Sequence, residues 1–261
     1  MTRPRSRRLL LIATLVVLGG VVWGASVLLL RRAIVAELQP VALKNCSFER
    51  VGSANDGGYL MCANLPSRID AAYSYGVGKN DDWGCQVSRQ YGVPVHQYDC
   101  FNPARPTCAG GTFVFHDECV GDRAERVEAR AFDTLESQIR RNGDAGKTLL
   151  MKIDIEAAEW DALLATPDHV LAGIPQLAME LHGYNDRKIL DVLRKLKRHF
   201  HLVNLHYNNW ACTRRAWPMK GWAYQVLFVN RKIGILDPGA PVPAPASSLN
   251  APDAPQRPEC R

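Results

Sequence analysis

The spacing of apolar residues changes repeatedly along this chain, and each change predicts an element. Short apolar runs bounded by Gly, Pro, Asn or Asp occur at residues 70–78 (DAAYSYGVG), 93–99 (VPVHQYD), 112–120 (TFVFHDECV), 148–156 (TLLMKIDIE) and 175–183 (PQLAMELHG). They read as strands. Between them, residues 81–91, 130–142, 158–170 and 186–199 carry apolar positions three and four apart and read as helices. Asp81 is placed to cap the first, and Pro167 breaks the third. In the last, Ile189, Leu190, Leu193 and Leu196 form an apolar face, with Arg194, Lys195, Lys197 and Arg198 left to water. Residues 201–209 and 223–231 then read as two strands with no helix between them, joined by a loop that holds Trp210, Trp217 and Trp222. The pattern predicts an α/β fold: a doubly wound, mostly parallel sheet with a terminal antiparallel β-hairpin.

Both ends depart from this pattern. Residues 9–30 carry no charge, and at about 1.5 Å per residue they are long enough for a hydrocarbon core of about 30 Å. The expectation is one N-terminal transmembrane helix over 9–30. A basic flank (1–8) precedes it, and a juxtamembrane connector (31–44) leads to the domain at 45–235. Four arginines before the run against two after it place the N-terminus in the cytoplasm and the domain on the non-cytoplasmic side of a single-pass membrane protein. Residues 236–261, rich in Pro, Ala and Ser, read as a disordered tail. The net charge of +6 matches the six arginines around the apolar run, and the rest is balanced. The expected partners are therefore a bilayer and a substrate, with no nucleic acid. Eight cysteines with no C-x-x-C pair argue against structural zinc and for one or two disulfides, with Cys46–Cys62 or a pair among Cys100, Cys108 and Cys119 as candidates.

The candidate chemistry lies at strand ends. In such sheets ligands bind beyond the carboxyl ends of the strands. Asp154 and Glu156 stand where the most apolar strand ends, while Glu159, a turn later, fits helix-end electrostatics. Glu180 and His182 end the next strand on one face, as a general-base pair or as metal ligands. A divalent ion on Asp154, Glu156 and His182 is one way to lower a hydroxyl pKa. His116 and Asp117 end a further strand. Gly76 and Gly78 form a turn between strand and helix, but the third position of a G-x-G-x-x-G pattern is Asp81, which repels phosphate. Asp99 ends the following strand, where an acid commonly receives ribose hydroxyls. A glycine turn without a pyrophosphate cradle fits a nucleoside cofactor that lacks phosphates.

The segments NDGGYLM, YSYGVGKNDDW, KIDIEAAEW and MELHG, in this order over about 45–232, resemble the FkbM-like methyltransferases, and more closely those of the methyltransferase-like 24 type. The resemblance implies a Rossmann-like methyltransferase that uses S-adenosylmethionine. It implies that Tyr75, Gly76 and Gly78 form the cofactor loop, Asp99 takes the ribose, and Asp154 lies beside the sulfonium and the substrate. Tyr59 would lie on cofactor or substrate. The family commonly reads DIEGAE where this chain has Ala157. The expected reaction is O-methylation of a small-molecule or glycan hydroxyl, with His182 as base and Glu180 or Asp154 orienting it. A binding ectodomain that has lost catalysis and a glycan enzyme using sugar nucleotides are the alternatives.

Overall fold

The computed structural model describes residues 23–102 and 104–261. Helix α1, described over residues 23–37, leads into a hairpin of β1 (Phe48–Gly52) and β2 (Gly58–Cys62). Then come β3 (Ala71–Tyr75), α2 (Asp82–Tyr91), β4 (Pro94–Tyr98) and β5 (Thr112–His116). A small sheet of β6 (Cys119–Val120), β7 (Glu125–Val127) and β8 (Arg130–Asp133) precedes α3 (Leu135–Arg141). The chain continues through β9 (Leu149–Ile153), α4 (Glu159–Ala165), α5 (Asp168–Ala172), β10 (Gln176–His182), α6 (Arg187–His199), β11 (Phe200–Tyr207) and β12 (Ala223–Asn230).

The fold is mixed α/β around a seven-stranded mixed sheet in the order β11-β12-β10-β9-β3-β4-β5. Strands β5, β4, β3, β9 and β10 are parallel, whereas β12 runs antiparallel to both β10 and β11. Strand order reverses between β3 and β9: the chain first builds outward through β4 and β5, then returns to the other side. That reversal opens a crevice beyond the carboxyl ends of β3 and β9. Alternation along the strands sorts their side chains into two cores. Met151, Ile153, Leu177 and Met179 pack beneath Trp160, Leu163 and Leu193. Leu150 and Ala178 pack with Trp83, Tyr59 and Met61 on the opposite face.

Two expectations about the ends are corrected. Among the described residues no helix is long and apolar enough to cross a membrane. Of the predicted span, residues 9–22 lie outside the described residues. The remainder belongs to α1, which runs through the charged pair Arg31–Arg32 to residue 37. Ile34 and Leu38 are fully buried in the main core. Arg31 donates to Asn185 Oδ1 at 2.6 Å and to the Trp217 carbonyl at 3.0 Å, and Lys197 pairs with Glu37 at 2.8 Å. The segment drawn as a juxtamembrane connector is thus part of the domain. The expected transmembrane helix and the single-pass placement that rested on it are therefore corrected.

The tail expected to be disordered lies against β11, β12 and the hairpin. Arg50 donates to the Leu249 carbonyl and Asn55 to that of Pro252. Asn204 and Asn250 exchange amide bonds at 3.0 Å, and Asn209 donates to the carbonyls of Ala254 and Arg257. Arg257 covers the Trp210 ring at 3.6 Å. Composition predicted too little apolar surface to order this segment. Side-chain amides and a cross-link, Cys212–Cys260, supply what burial does not. Cys46–Cys62, Cys85–Cys108 and Cys100–Cys119 complete four disulfides, so every cysteine is paired.

The predicted helix over 130–142 divides into β8 and α3. Thr134 caps α3 by accepting the Ser137 N–H, which fixes its start at Leu135, five residues late.

Candidate active site at the carboxyl ends of β3, β9 and β10

The ends of β3 and β9 come so close that a Cβ on Gly76 would lie 1.7 Å from the Asp154 carbonyl oxygen. Gly76 also has φ +73°, so glycine is required on both counts. Gly78 has φ +56° and open space where a Cβ would stand, facing the cleft. Asp99 holds this turn. Its Oδ2 accepts the N–H of Val77 at 3.2 Å and of Gly78 at 3.3 Å, and its Oδ1 accepts those of Phe101 and Asn102, both at 2.9 Å. Four backbone donors occupy the roughly four lone-pair sites of a carboxylate, so Asp99 positions the loop instead of standing free for a ribose. Tyr75 likewise differs from its expected role. Its side chain is fully buried against Tyr98, and only its carbonyl, which accepts the Asp154 N–H, reaches the site.

Beyond these ends lies a cleft of about 870 Å³. Its lining carries Asp56, Asp82, Asp99, Glu118, Asp154 and Glu156 against Lys79 and Lys152. Asp81 accepts the Gly84 N–H at 2.8 Å and so fills the N-terminus of α2 with a carboxylate. The place where a helix would receive a phosphate is taken.

Asp154 sits at the centre. The Tyr59 hydroxyl donates to its Oδ2 at 2.9 Å, and Lys152 Nζ lies 3.6 Å from the same oxygen. Lys152 is buried and donates to the carbonyls of Tyr75 and Gly76, tying β3 to β9 from the middle of an apolar strand. Burial first, then the Asp154 charge, drives the Tyr59 phenol well above its ordinary pKa, so it stays a donor. Tyr59 arrives on the β1–β2 hairpin, which sequence periodicity did not predict. The signal for Lys152 was in plain view: one cation inside LLMKID.

Glu180 and His182 lie on the neighbouring strand and on the same face, as alternation predicts. Glu180 is buried and accepts Asn208 Nδ2 at 2.9 Å. His182 is ringed by acids. Glu159 Oε1 accepts its backbone N–H at 2.7 Å and lies 3.1 Å from Nδ1. Around Nε2 stand Glu180 at 3.6 Å, Glu156 at 3.7 Å and Asp154 at 3.9 Å. Burial opposes a charge on this ring, but the Glu159 bond and the Glu180 carboxylate outweigh it and push the pKa up to about 10. The surrounding acids thus favour the protonated ring, which counts against His182 as the base expected from sequence.

Glu159 is corrected too. It has 0% exposure and orients His182, the part expected of Glu180 or Asp154. Glu156 reaches the cluster from an 83% exposed side chain. His116 lies elsewhere, beside His96 and stacked on Tyr98. Asp117, the residue after β5, takes no part in this cluster.

The turn after β9 is strained. Glu156 has φ +53° and Ala157 +75°, in the left-handed region that favours glycine. Ala157→Gly is therefore expected to raise unfolding stability by about 0.5–1 kcal/mol, read from urea midpoints. An unchanged or lowered midpoint would show that the turn carries no such strain.

The tail contributes Asp253, buried beside Glu180. Gln225, which pairs with Glu180 across β12 and β10, donates to its Oδ1 at 3.0 Å, and its Oδ2 has no partner. Burial, then the charges of Glu180 and Asp56, push its carboxyl up to about 7. An acid with a raised folded pKa stays protonated in the fold while the unfolded chain ionises. Stability therefore falls as pH rises from about 4 to about 7 and then levels. Asp253→Asn should remove this loss: about 1–3 kcal/mol more stable than wild type at pH 8, and nearly equal at pH 4, by thermal unfolding.

No family model, curated protein or solved structure matches this chain.

Proposed function

We propose that the protein is an S-adenosylmethionine-dependent methyltransferase acting on a hydroxyl of a small molecule or glycan. The observation that carries the reading is the charge of the cleft at the β3/β9 reversal. Six acids face two lysines there, and a carboxylate caps the adjoining helix. Such a cleft attracts a cation and repels a diphosphate, so it suits a sulfonium nucleoside and speaks against a nucleotide sugar. The likeness of KIDIEAAEW and its companion segments to FkbM-like methyltransferases points the same way.

Bound there, S-adenosylmethionine would supply an electrophilic methyl group. The chain's own part is positioning. The Gly76–Gly78 turn, held by Asp99, admits a ligand against the backbone. Asp154, fixed by Tyr59 and Lys152 yet 24% exposed, is the carboxylate placed to accept a hydroxyl proton. Glu159 holds His182 so that its Nε2 faces Glu180 and Asp154.

Calorimetry on the full chain tests the reading. S-adenosylmethionine should bind with about one site per chain, and a uridine diphosphate sugar should not. A folded protein that binds the sugar nucleotide and ignores S-adenosylmethionine overturns it.

A further inference from the structure

We propose that Asp154, Glu180 and His182 form a binding site for one divalent metal ion. One donor atom from each residue can be chosen so that all lie within 4.8 Å of one another. The distances around His182 Nε2, 3.6 Å to Glu180 and 3.9 Å to Asp154, are too long for hydrogen bonds, which run to about 3.2 Å. They match two donors sharing an ion, which at about 2.1 Å from its ligands holds them roughly 3–4 Å apart. Nε2 belongs to a side chain only 6% exposed, and the carboxylate oxygens of Glu180, Glu156 and Asp154 stand around it at 3.6, 3.7 and 3.9 Å. A buried nitrogen of this kind, aimed among carboxylates, needs an ion or a proton between it and them.

The surroundings point independently to a metal. Glu159 takes Nδ1 at 3.1 Å from behind, which turns Nε2 toward the cluster. A buried carboxylate behind an imidazole is the usual support of a metal-bound histidine. Tyr59 holds Asp154 by Oδ2, and the oxygen nearest His182 is Oδ1, which has no hydrogen bond. Asn208 steadies Glu180. Each ligand is thus fixed by a separate neighbour with a donor atom left for the centre. Glu156, the third ligand expected from sequence, gives way to buried Glu180.

Three protein ligands leave coordination positions open. Asp154 lines the cleft of about 870 Å³, and His182 lines a second cavity of about 440 Å³ with Trp160 and Tyr184. The proposed ion lies between Asp154 of the first and His182 of the second. On the methyltransferase reading, on which this step rests, it would coordinate the acceptor hydroxyl entering from the second cavity and lower its pKa. The proton would pass to the exposed Glu156 carboxylate beside the cluster, Asp154 then serving as ligand and not as base. The oxygen would bond to the methyl carbon as the carbon–sulfur bond breaks, S-adenosylhomocysteine leaving with the electron pair. Two carboxylates and an imidazole suit Mn²⁺, which serves as the probe.

The full-length chain, stripped with EDTA and dialysed, is titrated with Mn²⁺ alone and followed by calorimetry and by the loss of the free-ion paramagnetic resonance signal. One ion per chain is expected. Glu180→Gln should abolish that site, and Glu159→Gln, which touches no ion, should weaken it about 10- to 100-fold. Circular dichroism and unfolding midpoints check that both variants fold; if Glu180→Gln does not, His182→Gln takes its place. No binding by the wild type, or binding that survives these variants, overturns the proposal. S-adenosylmethionine binding is measured separately in EDTA. Cofactor binding without Mn²⁺ binding removes the ion and leaves the methyltransferase. Mn²⁺ binding without cofactor binding does the reverse.

Discussion

Asp154→Asn is expected to keep the fold and to lower methyl transfer by about three orders of magnitude, the size of effect associated with a positioned acid–base group. The fold should survive because Asn retains an oxygen for the Tyr59 hydroxyl, and Lys152 keeps the carbonyls of Tyr75 and Gly76. Removing one acid from a crowded cluster also relieves repulsion. The loss should fall on turnover, since the cleft keeps its other five acids for cofactor binding. Radiolabel transfer measured beside cofactor calorimetry separates the two. Wild-type turnover by this variant would refute the role of Asp154.

The second large effect is on stability. Cys212→Ser/Cys260→Ser opens a loop of sequence separation 48. The chain-entropy relation for that length gives a loss of up to about 4 kcal/mol. The full loss requires that the tail leaves only when the domain unfolds. The contacts support this: Asn209 holds the backbone of Ala254 and Arg257, and Asp253 is buried over β12. Urea unfolding without reductant measures it. An unchanged midpoint would show that the tail undocks at no cost. The double variant should also loosen Asn208, whose carbonyl lies 3.6 Å from Cys260 Sγ and whose amide holds Glu180.

Much of the candidate site was legible because strand alternation and strand ends obey local geometry. Asp154, Glu180 and His182 were placed at strand mouths by periodicity alone, and the structure brings them together. Lys152, Glu159 and Asp253 were not placed. Each depends on a contact between elements distant in the chain, and no local period encodes that. The small β6–β8 sheet escaped for another reason: its strands of two to four residues are too short to show a period. The segment drawn as a connector, 31–44, misled because composition describes a segment, whereas Ile34 and Leu38 are claimed by a core assembled elsewhere.

The sequence by itself determined where strands and helices alternate, that acids begin where the most apolar strand ends, and that Asp81 bars a pyrophosphate cradle. These follow from side-chain period and local backbone chemistry, which act over a few residues. Tertiary structure alone decided that Glu159 orients His182, that Asp99 is spent on its own loop, that α1 packs on the domain, and that a tail of low apolar content docks over the acids. Those outcomes turn on which groups share a low-dielectric interior. Charge and hydrogen-bond energies there are set by neighbours a few ångströms away, whatever their distance along the chain.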